Sequence, residues 1–341
     1  MPLGHRGGSA AGYATKLAIA LGEAPGPNGI RALLQSAYSY EAITEALKTL
    51  PIAGWIDDLS TPRSVERGVR HWAATRLAQA RVFASGVREL VHLAHSLCLA
   101  ARDLTLLLRM AYSGQEPPPV SQLAAYEDPL AHYVFNLYTD TRSYRGILDG
   151  LRRSPYYKLA DLLERFVKLE GENGIDVAID AYIAWFYAQA FRRARDAYFQ
   201  LCPRMDLLYA RTMLNFALRG APREVLEEFT RLLRPCRLPD LSREASVGDP
   251  EALVLKLRST PYGEVTERDM LDAFSRVETL ILKTARSQAI MGIASNPSSL
   301  QYAAAALNYI LLDVIDIGTI VNGVYAGAKP QEIAESLSIR A

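Results

Sequence analysis

The feature that most restricts what this chain can fold into is a long internal period. Three segments read alike: Leu47-Lys48-Thr49-Leu50-Pro51, Leu151-Arg152-Arg153-Ser154-Pro155 and Leu257-Arg258-Ser259-Thr260-Pro261. Their prolines are 104 and 106 residues apart. Each follows an amphipathic stretch, such as Tyr40 to Leu47 or Tyr144 to Leu151, whose apolar residues recur every three or four positions, as on one face of a helix. A residue before proline is pushed out of the α region, so Pro51, Pro155 and Pro261 each predict the end of a helix. A second marker comes later in each copy. Gly114, Gly220 and Gly327 close long apolar segments at spacings of 106 and 107. A glycine there can take the left-handed turn that ends a helix, and Pro222 and Pro330 just beyond cannot continue it.

The apolar positions before each glycine also superpose. Ile310, Val314, Ile317, Val321 and Val324 fall on Pro203, Leu207, Ala210, Leu214 and Ala217, and on Leu97, Ala101, Leu104, Leu108 and Ala111. Pro203 alone breaks the pattern and is expected at a helix start, where proline is tolerated. Such self-similarity is the mark of a repeated supersecondary unit. The expected division is 1–128, 129–236 and 237–341, three homologous helical units. No run of alternating β-branched and aromatic residues bounded by turn residues is present, so the expected fold class is all-α.

Composition narrows the function. Half of the 341 residues are apolar and 22% are charged, as in ordinary globular chains. Thirty-eight Lys and Arg against 37 Asp and Glu leave a net charge of +1, which does not suit nucleic-acid binding. Cys98, Cys202 and Cys236 are odd in number and far apart, which predicts reduced thiols packed as small core residues. Met1 to Gly12 has no apolar stretch of signal-peptide length. Tyr302 to Tyr325 is the most apolar region, but Asn308, Asp313, Asp316, Gly318 and Asn322 interrupt it, which predicts a pair of buried helices rather than a membrane span.

Two segments then carry a resemblance. Asp103-Leu104-Thr105-Leu106-Leu107-Leu108-Arg109-Met110-Ala111-Tyr112-Ser113-Gly114 and the stretch from Asp206 through Arg211 and Arg219 to Gly220 each run from an acid through an arginine to the terminal glycine. Short helices opened by Pro222-Arg223-Glu224 and Pro330-Gln331-Glu332 follow the second and third glycines. With the triplication, this pattern resembles the C subunit of archaeal and bacterial A/V-type rotary ATPases, whose vacuolar relative is subunit d. The Asn-Leu pair common in that family is absent from all three copies, and Asn322 stands where an arginine is common, so the likeness is one of architecture. It implies three helical domains arranged with pseudo-threefold symmetry as a funnel. It further implies a non-catalytic central-stalk adaptor at the cytoplasmic face of the membrane, peripheral to it, present once in a hetero-oligomeric complex. Its implied partners are the D- and F-type shaft subunits and the proteolipid rotor ring. There it would couple the shaft to ion-driven ATP synthesis or ATP-driven ion pumping, with no cofactor.

The residues themselves offer little chemistry. A phosphate-cradling loop ending in Gly-Lys-Ser/Thr is missing, and the Gly-rich pieces Gly4 to Gly12 and Gly22 to Gly29 read as a tail and a loop. His92, His95 and Cys98 share one helix face, yet a tetrahedral metal would need another ligand, and packing against a neighbouring helix is the simpler expectation. Asp57-Asp58 and the pair Asp313 and Asp316 fall short of the Asp-rich motifs of magnesium-dependent isoprenoid-type enzymes and are expected to cap helices or face solvent. Asp176 and Asp180, one turn apart, are expected at the surface. Arg63, Arg67 and Arg70, and Arg192, Arg193 and Arg195, are expected on solvated faces. No catalytic, cofactor or metal residue is therefore assigned. Besides the adaptor, a helical-repeat scaffold unrelated to rotary ATPases, with units stacked in a line, fits the period, and a magnesium-dependent isoprenoid-type enzyme built on Asp57 is the third and least favoured alternative.

Overall fold

The computed structural model describes residues 9–339, so the first part of the N-terminal Gly-rich tail, through residue 8, lies outside the described residues. The chain is 76% helix and 1% strand, and the all-α expectation holds. The first third contains α1 (Ala10–Glu23), α2 (Gly26–Gln35), α3 (Tyr40–Lys48), α4 (Pro62–Arg81) and α5 (Val87–Tyr112). The middle third contains α6 (Pro129–Thr141), α7 (Tyr144–Arg152), α8 (Tyr157–Glu170), α9 (Gly174–Arg193), α10 (Tyr198–Arg219) and α11 (Arg223–Leu232). The last third contains α12 (Ser242–Val247), α13 (Pro250–Leu257), α14 (Met270–Ile293), α15 (Leu300–Tyr325) and α16 (Pro330–Ser336). Between α13 and α14 lies a minimal antiparallel hairpin, β1 (Ser259–Thr260) and β2 (Gly263–Glu264), which the sequence pattern does not announce.

Local chemistry sets matching boundaries. Side chains of Ser39, Ser143 and Asp249 accept from the backbone N–H three residues on and so cap α3, α7 and α13. Each cap stands 12 residues before Pro51, Pro155 or Pro261. All three helices end before the proline, at Lys48, Arg152 and Leu257. The prolines themselves differ in setting, because Pro51 opens a short 3-10 turn, Pro155 lies in the α7–α8 connection and Pro261 lies in the turn of the hairpin.

The long helices pack in a closed order. Within each third the two longest lie together: α4 with α5, α9 with α10, α14 with α15. The second of each pair also packs on the first of the next: α5 on α9, α10 on α14, and α15 back on α4. The short helices repeat the rule, since α6 and α7 dock on α5, α12 and α13 on α10, and α2 and α3 on α15. Tyr144 at the start of α7 meets Tyr112 edge-on at 5.4 Å, and Tyr40 at the start of α3 meets Tyr325 in the same way at 5.6 Å. Tyr112, Leu218 and Tyr325 all stand two residues before the matched glycines. Apolar contacts of this kind hold the thirds to one another together with hydrogen bonds and ion pairs, such as Arg109–Asp176, Arg204–Asn308 and Gly26–Asp313.

Gly114, Gly220 and Gly327 take φ of 67°, 64° and 78°. In each case the next residue donates to the carbonyl five back: Gln115 to Met110, Ala221 to Phe216 and Ala328 to Gly323. That is the Schellman turn, and it requires a left-handed residue. An added Cβ would meet nothing within 4 Å at any of the three, so only backbone strain opposes a side chain. Replacing one of them with alanine should cost about 1 kcal/mol, and all three together about 3 kcal/mol, because the sites are far apart. Urea unfolding of the single and triple variants checks this; strongly unequal single losses would mean the three turns are not equivalent.

Several expectations need correction. Tyr302 to Tyr325 belongs to one helix, α15, not two. Ala303 to Ala306 are at most 1% exposed and let α15 lie close to its neighbours, while Asn308, Asp313 and Asp316 are buried with polar partners instead of breaking the helix. Helices α5 and α15 are both long and apolar enough to cross a membrane, but in this fold other helices cover most of each. Pro203 stands in the second turn of α10 rather than at its start. Glycines 22 to 29 form the tight α1–α2 junction, where Gly26 N–H donates to Asp313 at 2.7 Å. The cysteines are not all thiols: Cys202 on α10 is disulfide-bonded to Cys236, with Cα atoms 5.5 Å apart, because the chain after α11 folds back along α10. Only Cys98 is free among the described residues.

Candidate functional site

A cavity of about 730 Å³ lies among α4, α5, α9, α10 and α15. Its wall follows the repeat. Counting back 16 residues from the matched glycines gives Cys98, Arg204 and Leu311; 13 gives Ala101, Leu207 and Val314; 12 gives Arg102, Leu208 and Ile315. All nine line the cavity, so α5, α10 and α15 turn corresponding faces to one central space. Residues 12, 13 and 16 steps back share one helix face by the three-and-four spacing.

The wall is apolar with a basic bias. Arg70, Arg102, Arg204 and Arg211 meet two carboxylates there, Glu66 and Asp180. Arg102 is ion-paired with Glu66. Arg204, nearly buried, donates from Nε to Asn308 Oδ1 at 3.0 Å, and Asn308 donates in turn to the Gln200 carbonyl at 2.6 Å. Asp180 is not at the outer surface as expected. It opens on to the cavity while the surrounding helices shut it off from bulk solvent, and this burial, with Asp176 one turn away, pushes its carboxyl up to about 7. Asp176 is half-exposed and pairs with Arg109 at 2.5 Å.

The remaining candidates are scattered. His92 and His95 are wholly buried; Nδ1 of His92 lies 2.9 Å from the Tyr13 hydroxyl, and Nδ1 of His95 donates to the Val91 carbonyl at 2.7 Å. Burial pushes the two imidazoles down to about 3 and about 4, so both are neutral. Cys98 instead opens on the cavity beside the Tyr187 hydroxyl, 3.7 Å away, and the enclosure raises its thiol pKa. No group of three or more metal-ligating side chains occurs among the described residues. Asp57 and Asp58 sit in the exposed turn before α4, where Asp58 accepts from Ser60 N–H and the Ser64 hydroxyl.

Asp313 and Asp316 do not face solvent, and Asp313 caps a helix only from a distance, taking the Gly26 N–H at the start of α2. Both are fully buried and bound to Arg286 on α14, at 2.6 and 3.1 Å. Asp316 also accepts from Ser338 N–H, 22 residues on, as Asp103 accepts from Ala125 N–H, again 22 residues on. Asp103 faces a buried arginine too, Arg70 at 3.4 Å, which corrects the solvated reading of Arg70. In the middle third Asp206 takes the N–H groups of Cys236 and Arg237, and the Tyr209 hydroxyl takes that of Leu241. Each inner helix thus pins the returning chain by satisfying buried backbone donors. Arg192, Arg193 and Arg195 remain exposed.

Sequence reasoning did not single out Arg102, Arg204 or Arg211 as cavity residues. The signal was available in the repeat itself, as the positions facing inward when the three glycines are aligned. No protein-family model matches the chain, and no curated protein matches it either.

Proposed function

We propose that the protein is the central-stalk adaptor its sequence resembles: a funnel of three helical domains, with limits near 1–128, 129–236 and 237–341, that receives the end of a rotating shaft. The observation that carries this reading is the cavity at the hub of the closed helix order, lined by corresponding positions of α5, α10 and α15. Each domain lends its first helices to the preceding one, so a twisting load on one inner helix is shared by all three. A body that transmits torque needs stiffness and a complementary socket, and no nucleophile. The socket's chemistry suits a helical tip that is largely apolar and bears an acid toward Arg204, since Arg102 and Arg211 on the wall are already paired with Glu66 and Glu278. The proposed partners remain the D- and F-type shaft subunits on one side and the proteolipid ring at the cytoplasmic membrane face on the other. Under this reading the protein is non-catalytic and couples ion flow to ATP synthesis or hydrolysis carried out elsewhere.

The test is a binding assay with the purified shaft pair. Leu208→Trp with Ile315→Trp would fill the cavity from α10 and α15 at two half-buried positions. Shaft affinity should fall at least tenfold while helicity and melting temperature hold. No binding by the natural protein, or equal binding by the filled variant, would overturn the proposal. A scaffold stacked in a line remains the second reading, but the contacts of α15 with α2, α3 and α4 weigh against it, because an open array keeps its last unit away from its first.

A further inference from the structure

A second pocket, about 540 Å³, lies between α4 and α5, and five arginines contribute to its wall. Arg63, Arg67 and Arg70 stand at intervals of four and three on α4, so they share one face; Arg102 and Arg109 are seven apart on α5, with Thr105 between them. Three of the five charges are already matched. Arg70 pairs with Asp103, Arg102 with Glu66, and Arg109 with Asp176. Asp103 is the one carboxylate on the pocket wall, and it also takes the Ala125 N–H, so it has little capacity left for Arg63 or Arg67.

Neither arginine has a carboxylate within ion-pair distance among the described residues; Arg67 donates to the Ser121 carbonyl at 3.0 Å and feels the Asp58 carboxylate only from further off, and Arg63 has no hydrogen bond or ion pair among the described residues. Their position is costly for the free protein. Arg63 is in the first turn of α4, which contains no acid, and the positive end of a helix disfavours a cation there. Arg63 and Arg67 are also one turn apart, where like charges repel. An anion in the pocket would offset both penalties, since it attracts the two arginines and the positive end of α4 alike. Guanidinium groups on two facing helices, with the Thr105 hydroxyl between them, present forked donors of the kind that grip phosphate oxygens in pairs.

We propose that this pocket binds a small anion bearing linked phosphate groups. A single monovalent anion would answer only one of the two unmatched charges, whereas linked phosphates carry at least two negative charges and can meet Arg63 and Arg67 together. Inorganic pyrophosphate or tripolyphosphate and nucleoside di- or triphosphates share this chemistry. The inference does not depend on the adaptor reading, since it uses a different cavity.

Isothermal titration of the full-length protein with pyrophosphate, tripolyphosphate and ADP tests it. The expected result is one saturable site for the inorganic anions, with affinity falling steeply as salt rises. Arg63→Gln with Arg67→Gln should weaken that binding at least tenfold, and Arg63→Gln alone, which removes no contact, should weaken it in the same direction. Arg223→Gln, an exposed arginine on α11, should change nothing. The melting temperature of the double variant should stay level or rise as repulsion is relieved. Absence of saturable binding, or unchanged binding in the double variant, would overturn the proposal; so would binding of ADP with pyrophosphate inert, which would place recognition on the nucleoside.

Discussion

Arg286→Met should destabilise the protein by about 3–5 kcal/mol at neutral pH, and the deficit should shrink on acidification. Arg286 is 2% exposed and, among the described residues, is the one cation paired with Asp313 and Asp316, both fully buried. It also donates from Nε to Ser338 Oγ and lies over the Tyr309 ring at 4.8 Å, so one side chain joins α14, α15 and the C-terminal segment. Methionine fills similar space but leaves two carboxylates without a counter-charge. Burial already holds both carboxyls above their usual range, with Arg286 pulling them back, so its loss raises them further. A carboxyl whose folded pKa is raised stabilises most below its ordinary pKa, near 4, and loses that contribution as pH rises through the folded value. The variant should therefore lie furthest below the natural protein near pH 7 and approach it toward pH 5. Adding Asp313→Asn and Asp316→Asn to Arg286→Met should recover part of the loss, because the uncompensated charges are gone. Thermal unfolding across pH measures the natural protein and both variants. A deficit that is flat with pH, or that grows on acidification, would show that Arg286 does not serve to hold these charges.

How much of this was legible in the sequence depended on whether a position constrains residue type. Gly114, Gly220 and Gly327 were readable because a left-handed turn excludes most side chains, and Pro51, Pro155 and Pro261 because proline ends what precedes it. The cavity wall was harder. Cys98, Arg204 and Leu311 occupy one corresponding position yet have nothing chemical in common, since the position demands only that a side chain face inward. Asp313 and Asp316 looked like solvated acids because their partner, Arg286, is on another helix, and a spacing of three says nothing about what lies opposite. The return of α15 on to α4 joins residues more than two hundred positions apart, and neither helix has a local pattern that announces it. Periodicity reports which face of a helix is covered, not by what.

Breaking the Cys202–Cys236 bond should lower stability by about 3–4 kcal/mol, roughly 5 °C in melting temperature for a chain of this length. The bond closes a loop across a sequence separation of 34, which includes most of α10, the turn at Gly220 and all of α11. In the unfolded chain that closure removes conformational freedom, and this sets the size of the effect. The folded state should survive reduction. Asp206 would still accept from the N–H groups of Cys236 and Arg237 and from the Tyr262 hydroxyl, and Arg237 would still lie over Tyr198, Phe199 and Tyr262. Loss should instead appear locally, as faster hydrogen exchange along 233–241, while α5 and α15 keep their protection. Alkylation under denaturing conditions should find one thiol, Cys98, before reduction and three after it. Cys202→Ala with Cys236→Ala should then match the reduced natural protein in melting temperature. If three thiols react without reduction, the expectation of three packed thiols stands; if reduction leaves the melting temperature in place, the bond does not stabilise the fold.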